Sequence, residues 1–291
     1  MKDILDFISA TLSHYQTSQL SHASNIMGKW AESEKYDSRK IRALEEITSE
    51  YERYLKANIR LVGYSEDIIR ERVALLNCYY DFYHEHEYDN VFSSQGKFRS
   101  TILEEFMFLL FKDYVEFLKK KYDDTSDVIG SGSAKAYTNL YFTATSFGNF
   151  VRTPSVGINV KDQDFAIYRI FSFSVDGLEK AIKVPIVAIE NKTYIDKTML
   201  DGMIATADKI KTGNPYALYI AVTENYDVDL SVDPAYSRID QIFVLRKSKR
   251  KEKWEDIDPA VVIKVLKTVR DHVERPWADV EKRMRGEGVI I

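Results

Sequence analysis

Apolar positions in residues 1–90 recur at three- and four-residue steps. In DSRKIRALEEITSEYERYLKANIRLV (37–62), Ile41, Leu44, Ile47, Tyr51 and Leu55 form one stripe with charges between them, the pattern of an amphipathic helix. SEDIIRERVALLNCYYDFYHEHEY (65–88) repeats it, with Ser65 placed to cap the helix start. The turn-like SSQGKF (93–98) marks a seam, which predicts an N-terminal helical region over residues 1–95 and a second unit over 96–291.

Beyond the seam the period changes. A helix over TILEEFMFLLFKDYVEFLKKKY (101–122) is followed by a loop, DDTSDVIGSGSAK (123–135). Five runs rich in Val, Ile, Tyr and Phe then read as strands: AYTNLYFTA, DFAIYRIFSF, IKVPIVAIE, YALYIAVTE and DQIFVLR. DKTMLDGMIATADKIKT (196–212) reads as a helix between the third and fourth. Asp176-Gly177 is a hairpin signal that pairs the second and third strands antiparallel. Residues 259–285 predict two more helices, broken near Pro276. The fold class is α/β, a mixed sheet flanked by helices with an N-terminal helical region.

Composition adds limits. The 291 residues are 45% hydrophobic and 30% charged, as in a globular protein with a sizeable core. The apolar run FMFLLF (106–111) is too short to cross a bilayer. Asp3 and Asp6 stand where a signal peptide needs a basic and then an apolar run, so a cytoplasmic location is expected, without membrane partners. One cysteine, Cys78, excludes an internal disulfide framework and a multi-cysteine zinc site, and its neighbours suggest core packing. The net charge of −4 is not that of a general nucleic-acid coater, yet RKSKRKEK (246–253) holds six basic residues and one acid. Arg246, Lys247, Lys249 and Arg250 are candidate DNA contacts if a polyanion binds nearby, and a solvated loop if none does.

The candidate chemistry lies at strand ends. Asp164 opens the second strand and Glu190-Asn191-Lys192 closes the third. Paired through the Asp176-Gly177 turn, the two strands bring these positions across from each other, with Glu190 and Lys192 on one face and Asn191 on the other. Two carboxylates suit Mg²⁺, which prefers oxygen ligands, and a lysine beside a bound water can orient it toward phosphorus. On spacing alone, solvated strand-end charges remain the other reading.

The order of elements resembles the PD-(D/E)xK nuclease superfamily. Within it, TILEEFMFLLF, KDQDFAIY, VPIVAIENKTYIDKTMLDGMIATADKIK, PYALYIAVTE and IDQIFVLRKSKR resemble successive blocks of BbvCI-type heterodimeric type II restriction endonuclease subunits, which cut sites of the CCTNAGC kind. The likeness covers roughly residues 99–250, and Gln163-Asp164 stands in place of the family's Pro-Asp. It implies Asp164 and Glu190 as ligands of one or two Mg²⁺ ions, with the Asn191 main-chain carbonyl as a further ligand. Lys192 is implied as the water-orienting residue, and Glu105 as a less certain acid supporting the metal from the first helix. Thr101 and Glu104 have capping-box spacing, which gives Glu104 a structural role instead. The Asn191 side chain is expected to tolerate change.

The resemblance further implies a double-stranded DNA substrate, one strand cut per subunit, and a second homologous subunit, in a heterodimer or a homodimer. Two other functions fit the same residues: a repair or recombination nuclease without sequence specificity, and a non-catalytic DNA-binding subunit. His84 and His86 lack metal-site spacing, and GSGSAK (130–135) lacks that of a Walker loop and reads as a flexible loop.

Overall fold

Helix α3 (Ser38–Arg60) buries Leu44, Ile47, Tyr51 and Leu55, the stripe visible in the sequence, and Asp37 caps its first turn. Helix α4 (Glu66–Glu85) starts on Ser65, whose side chain accepts from the Ile68 N–H. With α1 (Lys2–Tyr15) and α2 (Ser21–Ala31) these helices form the N-terminal region. The structure is a computed structural model that describes residues 1–92, 97–122, 125, 127–175, 178–275, 280–286 and 288.

Helix α5 (Lys97–Lys121) is apolar on every side over Phe106–Phe111, where it has neighbours all round. Ile102, Leu103, Phe106, Met107, Leu109 and Leu110 are all buried. Tyr15 of α1 meets Phe108 edge-on at 5.6 Å, and Phe111 stacks on Phe165 of the sheet at 5.4 Å. One apolar cluster therefore runs from the N-terminal helices through α5 to the sheet. No helix among the described residues is long and apolar enough to cross a membrane.

Among the described residues the sheet has five strands in sequential order: β1 (Ile129–Thr143), β2 (Ser155–Val175), β3 (Leu178–Ile195), β4 (Leu218–Tyr226) and β5 (Gln241–Val244). β1–β2 and β2–β3 are antiparallel, while β3–β4 and β4–β5 are parallel. The mixed sheet flanked by helices is the one expected. The Asp176-Gly177 turn lies outside the described residues, but Val175 pairs with Leu178 as a tight hairpin requires. Helix α6 (Phe147–Arg152) joins β1 to β2, and α7 (Lys197–Gly213) packs Met203, Ala207 and Ile210 on the sheet face opposite α5. Helices α8 (Pro259–Glu274) and α9 (Val280–Gly286) follow; the expected break at Pro276 and the seam residues 93–96 lie outside the described residues.

Three expectations are corrected. GSGSAK is strand, not loop. Its glycine serves close approach, since Gly132 has φ +126°, and a Cβ there would lie 2.6 Å from the Ser18 carbonyl oxygen. Ser133 N–H donates to that carbonyl at 2.7 Å, which ties the α1–α2 loop to β1. Asp164 does not open the second strand: β2 starts at Ser155, and Asp162 already lies in the β1–β2 ladder opposite Lys135. Cys78 lies on the exposed side of α4 rather than in the core, although Tyr79 and Tyr80 beside it are buried.

Candidate active site

The β2–β3 ladder ends at the Phe165–Ile189 pair, so the next residues, Asp164 and Glu190, stand where the two strands part. The Asn191 N–H donates to Asp164 Oδ2 at 2.7 Å, which holds the carboxylate across the gap. Lys192, two residues after Glu190 and so on the same face, donates from Nζ to Glu190 Oε1 at 2.7 Å and lies 3.6 Å from Asp164 Oδ2. Two carboxylates from two strands thus converge on one ammonium.

Burial raises the Asp164 pKa above the usual carboxylate range and Glu190 adds to it, outweighing the opposite pull of Lys192. Burial works to lower the Lys192 pKa, but the Asp164 and Glu190 carboxylates outweigh it and keep the group an ammonium. Two carboxylates facing one ammonium leave negative charge uncompensated in a part-buried cleft. That suits a divalent cation bound by oxygen, with water and phosphate completing the shell. Among the described residues, no group of three or more His, Cys, Asp or Glu side chains is placed to hold a metal.

Glu105 and Glu104 are placed the other way round from expectation, Glu105 toward the N-terminal helices and Glu104 toward the cleft. Glu105 is 1% exposed and turned away from the site. Its Oε2 accepts from the His22 and Ala23 N–H groups, each at 2.9 Å, and its Oε1 from the Tyr51 hydroxyl at 2.7 Å. It therefore satisfies the first turn of α2, whose N-cap residue Leu20 has no side chain to do so. Glu104 has no helix start to cap, because α5 begins at Lys97 and places Thr101 within it. Thr101 Oγ1 instead donates to the Phe98 carbonyl, so His22 Nδ1 donates to Thr101 and His22 Nε2 accepts from Tyr79. Burial holds that imidazole neutral, with its pKa lowered to about 3. Glu104 borders the cleft beside Asp164, and its charge helps raise the Lys192 pKa.

Burial lifts the Glu105 pKa to about 7, against the three hydrogen bonds that favour the anion. Between the ordinary carboxyl range and pH 7 the folded chain keeps a proton that the unfolded chain has released. This group therefore makes the fold less stable as pH rises through that window, by about 3 kcal/mol in all. Glu105→Gln, with its amide group toward Tyr51, should flatten that part of the stability–pH curve in chemical denaturation.

The basic run divides in two. Arg246 is buried at the edge of the cleft and already engaged: its Nε donates to Glu224 at 3.2 Å and its guanidinium lies 3.8 Å over Trp254. Lys247 pairs with Asp258, turned from the cleft beside Asp164 by a left-handed backbone at φ +52°. Lys249 and Arg250 do border that cleft, with the Arg250 guanidinium 4.1 Å over the Tyr194 ring. The cleft has a volume of about 1340 Å³ and takes in Asp164, Asn191 and Lys192 on one side and Ser21, Ser24 and Asn25 of α2 on the other. Tyr194 continues the period of two from Glu190 and Lys192, a signal that the strand pattern alone could have supplied. Asn191 is 3% exposed with both side-chain polar atoms unpartnered, so its side chain occupies the interior and a charge there would be costly.

The family model described as the Bpu10I restriction endonuclease matches residues 95–259. Among solved structures, "native BbvCI A2B2 tetramer at low resolution" resembles this chain with a TM-score of 0.66 and 19% identity, covering 88% of this chain and 95% of that one. No curated protein matches the chain significantly.

Proposed function

Since the chain belongs to the Bpu10I restriction endonuclease family and is a type II site-specific deoxyribonuclease, we propose that Asp164, Glu190 and Lys192 cut one strand of double-stranded DNA with Mg²⁺. The observation that carries this reading is the meeting of the Asp164 and Glu190 carboxylates at Lys192 Nζ, where two strands part at the cleft. Asp164, Glu190 and the Asn191 carbonyl would hold the metal, with Glu104 rather than Glu105 as the acid contributed by α5. Bound Mg²⁺ supplies charge to the phosphoryl oxygens and acidifies water.

The chain's own residues do the rest. Lys192, held as an ammonium, donates to the attacking water and to the phosphate rather than taking a proton. The Asn191 N–H keeps Asp164 aimed across the gap between the strands. Lys249 and Arg250 face the same cleft and can pair with backbone phosphates, which orient the duplex without reading its sequence.

One such constellation is present among the described residues, so a second, homologous endonuclease subunit is needed for the other strand. The similar BbvCI structure is an A2B2 tetramer, which supports a non-identical partner here. A restriction enzyme works where the DNA is, in the cytoplasm. The test is incubation of the chain, alone and with a homologous partner, with plasmid DNA in Mg²⁺ and in EDTA. Nicks or discrete fragments are expected in Mg²⁺ alone. A smear, or cleavage unaffected by EDTA, would sink the reading.

A further inference from the structure

Helix α2 forms the wall of the cleft that faces the carboxylate–lysine cluster. Ser21, Ser24 and Asn25 are spaced i, i+3, i+4 and share that side, while His22, Ala23 and Ile26 are buried behind them. Three ties fix this helix against α5 and the sheet. Glu105 holds its first turn, Ser133 N–H of β1 donates to the Ser18 carbonyl at 2.7 Å, and Ser21 Oγ donates to the Thr101 carbonyl at 3.3 Å. Thr101 lies three residues before Glu104, so the wall is seated about 5 Å along α5 from the acid beside Asp164.

The chemistry of this wall differs from that of the basic loop. Residues 7–31 contain no Asp or Glu in a chain that has 45 of them, so no carboxylate on α2 repels a polyanion. The helix offers uncharged hydrogen-bonding groups instead. Thr101 gives its one hydroxyl proton to the Phe98 carbonyl, so Asn25 must present its amide nitrogen to Thr101 Oγ1, at 3.2 Å. That leaves Asn25 Oδ1 as an acceptor, the complement of the amino groups that adenine and cytosine show in the major groove. The Ser24 side chain has no partner among the described residues and can donate or accept. Phosphate contacts position a duplex, whereas contacts to base edges specify its sequence. A rigidly seated helix keeps such contacts in step with the cut site.

We propose that α2 reads the recognition sequence, with Ser24 and Asn25 hydrogen-bonded to base edges in the major groove beside the scissile phosphate. This deepens the reading above, on which it rests for the course of the duplex through the cleft. It also gives the Glu105 carboxylate a purpose beyond capping, since a helix that reads bases must not shift.

The test is selection of bound duplexes from a randomised library in Mg²⁺ by the full-length Lys192→Ala chain, alone and with a homologous partner subunit. This parent should select one sequence. Added to it, Ser24→Ala and Asn25→Ala should each accept other bases at one position and bind the selected duplex on the order of 10-fold more weakly. The salt dependence of binding should stay the same, because no phosphate contact is lost. Lys249→Ala should instead weaken binding to every duplex and flatten that dependence. Circular dichroism and melting temperature are the folding controls. Should Asn25→Ala disturb Thr101, Ser24→Ala carries the test, since its hydroxyl bonds nothing among the described residues. A parent that selects no sequence, variants that select the same sequence as tightly, or variants that weaken all duplexes alike would overturn the proposal. Cleavage of the selected duplex by the chain with Lys192 intact is scored separately. Failure to cut it would count against the catalytic assignment alone, and an unaltered selection by the variants against α2 alone.

Discussion

Lys192→Ala should lower DNA strand cleavage on the order of 10³-fold while leaving the fold and DNA binding close to wild type. The expected size is that of losing a preorganised donor to the charge that develops in the transition state. The fold survives because Lys192, Asp164 and Glu190 are part-exposed, so water screens the two carboxylates once the ammonium is gone. Asp164→Asn and Glu190→Gln should fall as far. Glu104→Gln should lose activity, whereas Glu105→Gln should keep it, the reverse of what the sequence suggested. The measurement is single-turnover nicking of a supercoiled plasmid with circular dichroism as the folding control. Where an intact partner subunit is present, each inactive variant should leave a strand-specific nicking enzyme. Wild-type cutting of both strands by such a pair would remove these residues from the site.

Glu224→Ala should cost about 3–5 kcal/mol of stability, the largest effect expected of a residue outside the carboxylate–lysine cluster. Glu224, on β4, is 1% exposed and accepts from both terminal nitrogens of Arg99 on α5, each at 2.8 Å, and from Arg246 Nε. Burial alone would raise its pKa, but the two guanidiniums outweigh that and hold it below the ordinary range. Removing it leaves two cations facing each other, with the Tyr80 ring 4.9 and 5.2 Å from them. A drop in melting temperature on the order of 10 °C follows, readable by calorimetry. A change within 2 °C would show that the pair is solvated. Because the folded-state pKa is depressed, this contribution is present above the ordinary carboxyl range and fades as pH falls below it.

Element type was legible wherever periodicity and length were both strong. The stripe Ile41 to Leu55, the Ser65 cap and the five strand runs all correspond to elements that formed. The convergence of Asp164, Glu190 and Lys192 was legible because β2 and β3 pair antiparallel from Val175–Leu178 to Phe165–Ile189, and register fixes faces. What was not legible depended on contacts far along the chain. Glu105 caps a helix 83 positions earlier, and nothing local distinguishes it from Glu104 once the start of α5 is misplaced by one turn. Arg246 looks like its basic neighbours until Glu224, 22 positions away, is brought beneath it. GSGSAK looks like a loop because glycine and serine suit loops, although here they allow another backbone to approach.

Adjacent carboxylates on α5 face different sides, one bordering the cleft and one bonded into the N-terminal helices. Consecutive residues of an α-helix are turned by about 100° about its axis. Losing or gaining a single residue between Phe98 and Glu104 would swing both groups together, withdrawing the acid from the cleft and uncapping α2 in one step. The helix therefore has a fixed phase as well as a fixed sequence. Substitutions in this segment leave that phase in place, whereas a change in its length does not.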